Sequence, residues 1–367
     1  MICGPCSESG GVSIHTRNLY RELVAKGVHA DLCCFSQGEA AVGRPRPSRV
    51  YFRSIGLALH LFRHHKTYDV VHVQASGGVL SFIGAVTAAY CTAILNKRLV
   101  VGFHHGRSAS FIRTHRLLFG TVLARADSFV AISQKMACDI THAFPWAEER
   151  VVYIPNAYDQ RLFHQRNQAD CRRHLNLPHS AKMICNVSNL LEVKGQSVLI
   201  DALGRLKQKH QDTLCVIIGE GPMESNLRNQ VTELDLAESV LFTGKVPHED
   251  IPRWIGAADV VVISSISEGN PTVLFEAFGS GRPVISTRVG GIPEIIVHEF
   301  LGSLYDASSP TELSAQIEVG LSRAWDCRRI AEYGSKYSWS LIANRYIDIY
   351  MTVAKSKPTK VMDTTDS

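Results

Sequence analysis

The stretch SEGNPTVLFEAFGSGRPV, Ser267–Val284, holds two carboxylates, Glu268 and Glu276, separated by residues that include Asn270 and Pro271. Pro271 suits the first turn of a helix running to about Ser280, Gly281 the position just past its end, and Pro283 a stop before the next strand. Glu268 then lies in a loop at the carboxyl end of a strand. Glu276 lies about 7 to 8 Å along the helix axis from Pro271, at about 1.5 Å per residue. Carboxylates so offset do not flank one bond as the acid and base of a glycoside hydrolase do. They suit two acceptors for hydroxyl groups at different places on one extended ligand. A locally paired Glu276 with a solvent-facing Glu268 is the other reading of the same spacing.

Three further segments put small or cationic residues where a strand gives way to a helix. There an open α/β sheet binds anions, through close backbone approach at glycine and through helix N-terminal amides. In VSNLLEVKGQSVLIDAL, Val187–Leu203, Lys194 and Gly195 fall in such a turn, and the ammonium either pairs with a diphosphate or is simply solvated. In VIIGEGPMESNL, Val216–Leu227, Gly219 and Gly221 flank Glu220, and Pro222 is placed to open a helix. A bare turn and a nucleotide lying against it explain these glycines equally well. In SESGGVSIHTRNLYREL, Ser7–Leu23, Gly10 and Gly11 precede a helix with apolar Val12, Leu19 and Leu23, as a plain loop or a phosphate cradle. VVGFHHGRSASF, Val100–Phe111, sets His104, His105 and Arg107 just past a strand, where a neutral imidazole can donate to a sugar hydroxyl or a phosphate oxygen. One such histidine is more often structural. Two with an arginine favour function, and no third ligand is spaced to make them a metal site.

The elements that must hold these residues are short β-branched runs alternating with amphipathic segments. DVVHVQA (Asp69–Ala75), RLVVGFH (Arg98–His104), SFVAIS (Ser128–Ser133), RVVYIP (Arg150–Pro155), KMICNVS (Lys182–Ser188), TLCVIIG (Thr213–Gly219), SVLFTG (Ser239–Gly244), DVVVISS (Asp259–Ser265) and RPVISTR (Arg282–Arg288) read as buried parallel strands. Helical patterns between them give repeated βαβ units, so the fold class is α/β, twice over. Ahead of Gly10 only MICGP is available for a first strand, which is either very short or lacks its natural beginning. A boundary is expected just after RVVYIPNAYD, with polar Gln160–Ser180 as the linker. The closing residues have no periodicity and are expected to be a disordered tail.

At 367 residues the chain exceeds what one core organises, which favours two domains of about 150 to 200 residues each. Residues 1–165 carry 18 Lys and Arg against 10 Asp and Glu, and residues 166–367 carry 21 against 24, so the net +5 is a sum of +8 and −3. The basic half is the one to meet an anionic partner, unless its surface is only solvated. The ten cysteines show no zinc-site spacing; the close sets are Cys3/Cys6 and Cys33/Cys34, and reduced thiols of a cytosolic protein are expected. The longest apolar stretch, Val79–Leu95, contains Ser, Thr and Tyr and is shorter than the roughly 20 residues of a membrane span, so no integral anchor is expected.

In this order the segments resemble glycosyltransferase family 4, the retaining glycosyl transferases group 1 with the GT-B fold. The resemblance runs over nearly the whole chain: GGVSIHTRNLYREL, FHHG, ADSFVAIS, VVYIPNAYD, VSNLLEVKG, GEGP, SEGNPTVLFEAFGSGRPVISTRVGGIPEII and YSWSLIANRYIDIY. Its most specific pieces are the Glu268/Glu276 spacing and GGIPE, Gly290–Glu294. It implies two Rossmann-like domains facing each other across a cleft, residues 1–160 for the acceptor and 161–336 for a nucleotide sugar. A helix at 337–354 would cross back to pack on the first domain, followed by the tail at 355–367. The resemblance further implies that Lys194 contacts the donor diphosphate and that the backbone at Gly269, Asn270, Pro271, Thr272 and Val273 holds sugar and phosphate. Glu268 would bind the transferred sugar and Glu276 the ribose. Gly219, Glu220 and Gly221 would meet the nucleotide, and Gly10 and Gly11 would approach the phosphates from the other domain. His105, or its neighbour His104, would reach the sugar near the reacting bond, with Arg107 on the acceptor side. Asn189 stands where much of the family has an arginine, one guanidinium fewer on the diphosphate.

The expected reaction is therefore transfer of a hexose-type unit, with retention and without a metal or other cofactor, from a UDP- or GDP-linked sugar to an acceptor hydroxyl. His105, Lys194 and Glu268 form the expected catalytic set. The acceptor expected is a lipid-linked, polysaccharide or glycolipid precursor. The protein would be cytoplasmic and peripheral at the inner face of a membrane whose anionic surface attracts the basic half; nucleic acid is not an expected partner. The alternatives are a catalytically silent nucleotide-sugar binder and another GT-B enzyme, an epimerase or phosphorylase.

Overall fold

The computed structural model describes residues 1–6, 10–34, 50–76, 78–207 and 212–355, and the expected tail lies outside these beyond Lys355. The chain forms two units, Met1–Asn156 with Trp339–Ser367, and Ala157–Ser338. In the first unit the order is β1 (Ile2–Gly4), α1 (Gly11–Ala25), β2 (Leu32–Cys34), a π-helical turn (Phe52–Gly56) leading into α2 (Leu57–Arg63), β3 (Val70–Ser76), α3 (Val79–Leu95) and β4 (Arg98–His104). It continues with α4 (Ser108–Thr114), α5 (Arg116–Arg125), β5 (Ser128–Ala131), α6 (Gln134–Ala143) and β6 (Val151–Tyr153). The second unit holds α7 (Gln168–His174), β7 (Lys182–Val187), α8 (Gln196–Lys207), β8 (Thr213–Ile218), α9 (Glu224–Glu233), β9 (Val240–Gly244), α10 (Ile251–Ala257) and β10 (Val260–Ile263). It closes with α11 (Thr272–Gly279), β11 (Val284–Thr287), β12 (Gly302–Tyr305), α12 (Pro310–Ser322) and α13 (Cys327–Gly334). The last helix, α14 (Trp339–Lys355), belongs to the first unit and packs on α1.

Among the described residues each unit has one six-stranded sheet, ordered β2-β1-β3-β4-β5-β6 in the first and β12-β11-β10-β7-β8-β9 in the second. All the strand pairs are parallel. Alternate residues of one strand feed opposite layers: Cys185, Val216 and Val261 pack with Phe275 and Phe278, whereas Ile184, Cys215 and Val260 pack with Leu199 and Leu313. Both faces are covered by helices, which is why these strands are unbroken apolar runs in the sequence. The nine runs read as strands all form, and β2 and β12, which were not read, complete the sheets. The first strand also forms, from Ile2–Gly4 alone, and bonds to both β2 and β3.

Two expectations are corrected. Cys6 and Cys34 are joined in a disulfide, not left as thiols. Parallel pairing sets Cys3 opposite Cys33 and Gly4 opposite Cys34, so cysteines 28 residues apart in the chain meet at the ends of adjacent strands. The stretch Gln160–Ser180 is not a linker but part of the second unit's core. Phe163 and Cys171 are buried there, and the buried Arg172 bonds to Asp259 Oδ2 at 2.9 Å and to the carbonyls of Ala257, His179 and Ala181. The polar composition misled because one of its cations is fully partnered inside. The boundary consequently falls at Asn156–Ala157, a little ahead of 160–161, with Tyr158 in the second unit's core.

Candidate active site

In the second unit the site is built at the carboxyl ends of β7, β8 and β10. Lys194 closes a short 3₁₀ turn, Glu192–Lys194, and Gly195 ends it with φ 63°. A Cβ on Gly195 would stand 2.1 Å from the carbonyl oxygen of Ser264, so only glycine lets this turn lie against the end of β10. Ser264 Oγ donates to the Lys194 carbonyl at 2.9 Å, and Ile266 N donates to Val193 O at 2.8 Å. Pinned in this way, Lys194 Nζ reaches Glu268 Oε1 at 2.5 Å. Ser265 Oγ donates to the same oxygen at 2.8 Å. The Glu268 carbonyl side is equally tight: Gly290, with φ 57°, would carry a Cβ 2.0 Å from it.

Pro271 caps α11, whose first turn holds Thr272 and Val273 and leaves amides without intrahelical partners, as every helix start does. Gly269 accepts from Gly291 N at 2.7 Å, and Asn270 and Pro271 are buried. The helix ends as expected: Gly281 N donates to Phe278 O and Arg282 N to Ala277 O, with Gly281 at φ 70°. Glu276 is buried on α11, and its Oε1 accepts from His248 Nε2 at 2.9 Å. The His248 ring is itself packed against Phe163, 5.3 Å between centroids. Glu268 and Glu276 thus have separate partners.

The turn after β8 approaches the neighbouring loop closely. Cβ atoms on Gly219 and Gly221 would meet the carbonyls of Ser188 and Leu190 at 2.0 and 2.3 Å, and Leu190 N donates to Glu220 O at 2.9 Å. A structural requirement therefore accounts for both glycines. The Glu220 side chain is exposed and 3.6 Å from Lys245, and Asn189 is exposed with its carbonyl held by Gln196.

In the first unit Gly10 caps α1 at φ 101° and Gly11 begins the helix. A Cβ at Gly11 would meet nothing within 4 Å, so no packing demand fixes glycine there. The buried face of α1 includes Leu19 and Leu23 but also His15, Thr16 and Asn18. His15 belongs to a buried polar cluster. His104 Nε2 lies 2.7 Å from Gln74 Oε1, Gln74 Nε2 lies 3.2 Å from His72 Nε2, and His72 Nδ1 lies 2.6 Å from Tyr350 Oη. The His15 ring is 4.5 Å from that of His104 and 4.8 Å from Trp339. Burial pushes His72 down to about 3 and His104 down to about 4, and His15 falls well below the ordinary imidazole range for the same reason, helped by its histidine neighbours. His104 thus turns into the unit. His105 stands at the end of β4 beside Phe103 and Phe111, and its Nδ1 accepts from Arg107 N at 2.9 Å, which places the proton of the neutral ring on Nε2. Burial, then Arg107, lowers its pKa. Arg107 is exposed.

Sequence reasoning missed His248, Ser265 and the histidine cluster. His248 follows β9 just as His105 follows β4, so the same positional rule could have found it. His15 and His72 carry no such signal, because one sits mid-helix and the other mid-strand.

Each α/β unit thus sets turns and paired side chains at the strand ends of a parallel sheet, an architecture that many activities share. Residues 9–162 match the family model described as Glycosyltransferase Family 4, and residues 167–337 that described as Glycosyl transferases group 1. The chain belongs to this glycosyltransferase family. A D-inositol 3-phosphate glycosyltransferase of Corynebacterium urealyticum is 23% identical, covering 94% of this chain and 91% of the relative. An N-acetyl-alpha-D-glucosaminyl L-malate synthase of Bacillus anthracis is 24% identical over 68% of this chain and 64% of its own. Among solved structures, sucrose-phosphate synthase of Thermosynechococcus elongatus matches with a TM-score of 0.78 at 20% identity, covering 96% and 98% of the two chains. The Anabaena protein HepE, solved with UDP, matches with a TM-score of 0.73 at 21% identity, covering 96% and 99%.

Proposed function

We propose that the protein moves a sugar, with its anomeric configuration kept, from a UDP- or GDP-linked donor to a hydroxyl of a lipid-linked, polysaccharide or glycolipid precursor for the cell surface. The observation that carries the reading is the Lys194–Glu268 contact beside the start of α11, with Glu276 further along the same helix. A donor diphosphate at that helix start is met by an ammonium and by helix amides, and the ammonium shifts from Glu268 onto the phosphate. Glu268, still held by Ser265, then accepts from hydroxyls of the transferred sugar, while Glu276, oriented by His248, accepts from the ribose. As the bond from the anomeric carbon to the phosphate oxygen breaks, negative charge grows on the diphosphate, and Lys194 and the amides stabilise it where a divalent ion otherwise could. The acceptor oxygen bonds to the anomeric carbon and its proton passes to the leaving phosphate. His105, neutral with its proton on Nε2, is the donor to the sugar side.

A thermal-shift screen of sugar nucleotides tests this, followed by turnover of the best donor. Stabilisation by one nucleoside diphosphate sugar and its hydrolysis or transfer is expected, and Lys194→Ala should lower turnover about 10²- to 10³-fold. Binding with no turnover under any acceptor supply would favour a silent binder.

A further inference from the structure

Gly102 sits in the middle of the buried strand β4, where a glycine weakens the strand and marks the close approach of another group. The group here is Gln74. A Cβ on Gly102 would stand 2.2 Å from Gln74 Oε1 and 3.1 Å from His72 Nε2. Strands β3 and β4 send Val71, Val73, Ala75, Leu99, Val101 and Phe103 into the apolar core from one face, so the opposite face carries His72, Gln74, Gly102 and His104. Gln74 pairs with Gly102 in the strand register, and its side chain passes over that glycine to reach His104, the next residue on the same face of β4.

The bonds run in one direction. Gln74 Oε1 can only accept and Nε2 only donate, so His104 donates from Nε2 at 2.7 Å and Gln74 donates to His72 Nε2 at 3.2 Å. His72 then donates from Nδ1 to Tyr350 Oη at 2.6 Å. An aliphatic layer would cover this face without desolvating polar groups, yet the chain buries an amide and an imidazole there and adds a glycine to make room for them. Local rules broken together in this way accompany function. The series of bonds ends on His104, which pairs with Ser76 as the last residue of β4 that has a partner in β3. His105 follows directly. Its ring rests against Phe103 and Phe111 and its Nδ1 accepts from Arg107 N at 2.9 Å, so the direction of its Nε2–H is set by where β4 ends.

We propose that Gln74 is a positioning residue for His105: by bonding His104 it fixes the strand end from which the His105 Nε2–H is presented to the sugar. This rests on the role given to His105 above. The full chain is isotope-labelled at its histidine nitrogens, and the His105 signals are assigned by their loss in His105→Ala. In wild type at neutral pH His105 should show the single Nε2–H tautomer. Gln74→Met keeps the volume and removes both bonds; it should mix the two tautomers as the Arg107 contact loosens. With the UDP- or GDP-sugar of the screen that turns over fastest, kcat of this variant should fall about tenfold while the donor KM stays within about twofold. Gln74→Glu, which keeps an acceptor for His104, should recover most of the turnover. Gly102→Ala, whose methyl displaces Gln74 Oε1, should reproduce both changes and replaces Gln74→Met if that variant does not fold. A His105 tautomer indifferent to Gln74, or a Gln74→Met variant changed only in melting temperature or donor KM, overturns the proposal. Turnover and tautomer are read separately. Wild-type turnover in His105→Ala takes away the role of His105 itself, and a chain that turns over no sugar nucleotide loses the transferase reading, whereas a slow His105→Ala beside an unaffected Gln74→Met overturns the Gln74 tie alone.

Discussion

Acid should destabilise the first unit through its buried histidines. His72 is 1% exposed and bonded on both ring nitrogens, and burial chiefly, then the nearby His104, lowers it from 6.5 to about 3. An imidazole whose folded pKa lies below its unfolded value binds its proton preferentially in the unfolded chain. Its contribution is therefore complete above about pH 6.5 and is lost as pH falls from there toward the folded value. At pH 5 an unfolded imidazole is about thirtyfold more protonated than neutral while the buried one stays neutral, a loss of about 2 kcal/mol for His72. His104, lowered to about 4, adds a loss of about 2 kcal/mol more. Against a total of about 5 to 15 kcal/mol for a domain, that is a large share. The groups around His72 include Gln74, His104, Tyr346 and Tyr350, and among the described residues no carboxylate is bonded to its ring, although Asp31 and Asp69 line the same cavity. The perturbation is His72→Gln, compared with wild type at pH 8 and pH 5. Hydrogen exchange of peptides from β3 and β4, corrected for intrinsic rates, gives the opening free energy at each pH. Wild type should lose about 2 kcal/mol more than the variant over this interval. Equal losses, or a wild type as stable at pH 5 as at pH 8, would refute the reasoning.

Four further outcomes are expected. Lys194→Ala should lower turnover about 10²- to 10³-fold with the melting temperature unchanged, the cost of removing one charge stabiliser; near-native turnover would remove Lys194 from the mechanism. His248→Ala should weaken donor affinity about tenfold, and Glu276→Ala at least as much, by calorimetry; a change in the His248 variant confined to turnover would contradict its role in orienting Glu276. Gly195→Ala should cost about 1 to 3 kcal/mol in denaturant melts, because the added methyl meets Ser264 O and φ is positive, and should displace Lys194. Arg172→Leu should cost about 3 kcal/mol by leaving Asp259 without its cation, measured in the same melts.

The doubly wound architecture was legible because parallel strands buried on both faces are apolar runs, and nine such runs are unmistakable in this chain. What composition hid was pairing at a distance. Cys6 and Cys34 meet only because β1 and β2 lie side by side, and no spacing rule links cysteines 28 residues apart. Arg172 made Gln160–Ser180 look like a linker because a one-dimensional reading counts a cation as solvent-seeking, whereas four acceptors wait for it inside. The histidine cluster was hidden for the same reason. Its members come from α1, β3, β4 and α14; only His104 drew notice in the sequence, and there as a site residue, not as part of a buried cluster.

For the site, spacing revealed where residues lie along the chain but not what each side chain touches. The Pro271–Gly281 helix and its offset carboxylates followed from local rules of helix starts and stops, which are nearly independent of tertiary context. The partners of those carboxylates did not. Glu268 is tied to Lys194 because Gly195 lets a 3₁₀ turn press against Ser264, and Glu276 is tied to His248 because the chain after β9 passes over α11. Both contacts join segments far apart in sequence, and they differ in kind. One carboxylate is balanced by an ammonium that an incoming diphosphate can draw away; the other is oriented by an imidazole that has no reason to leave. An acid–base pair would need the two groups to share a proton, a bond or at least a neighbour, and they share none of their bonded partners. Under the proposed reading, Glu268 is the carboxylate whose surroundings would change with a bound diphosphate, and Glu276, held by His248, the one whose surroundings would stay fixed.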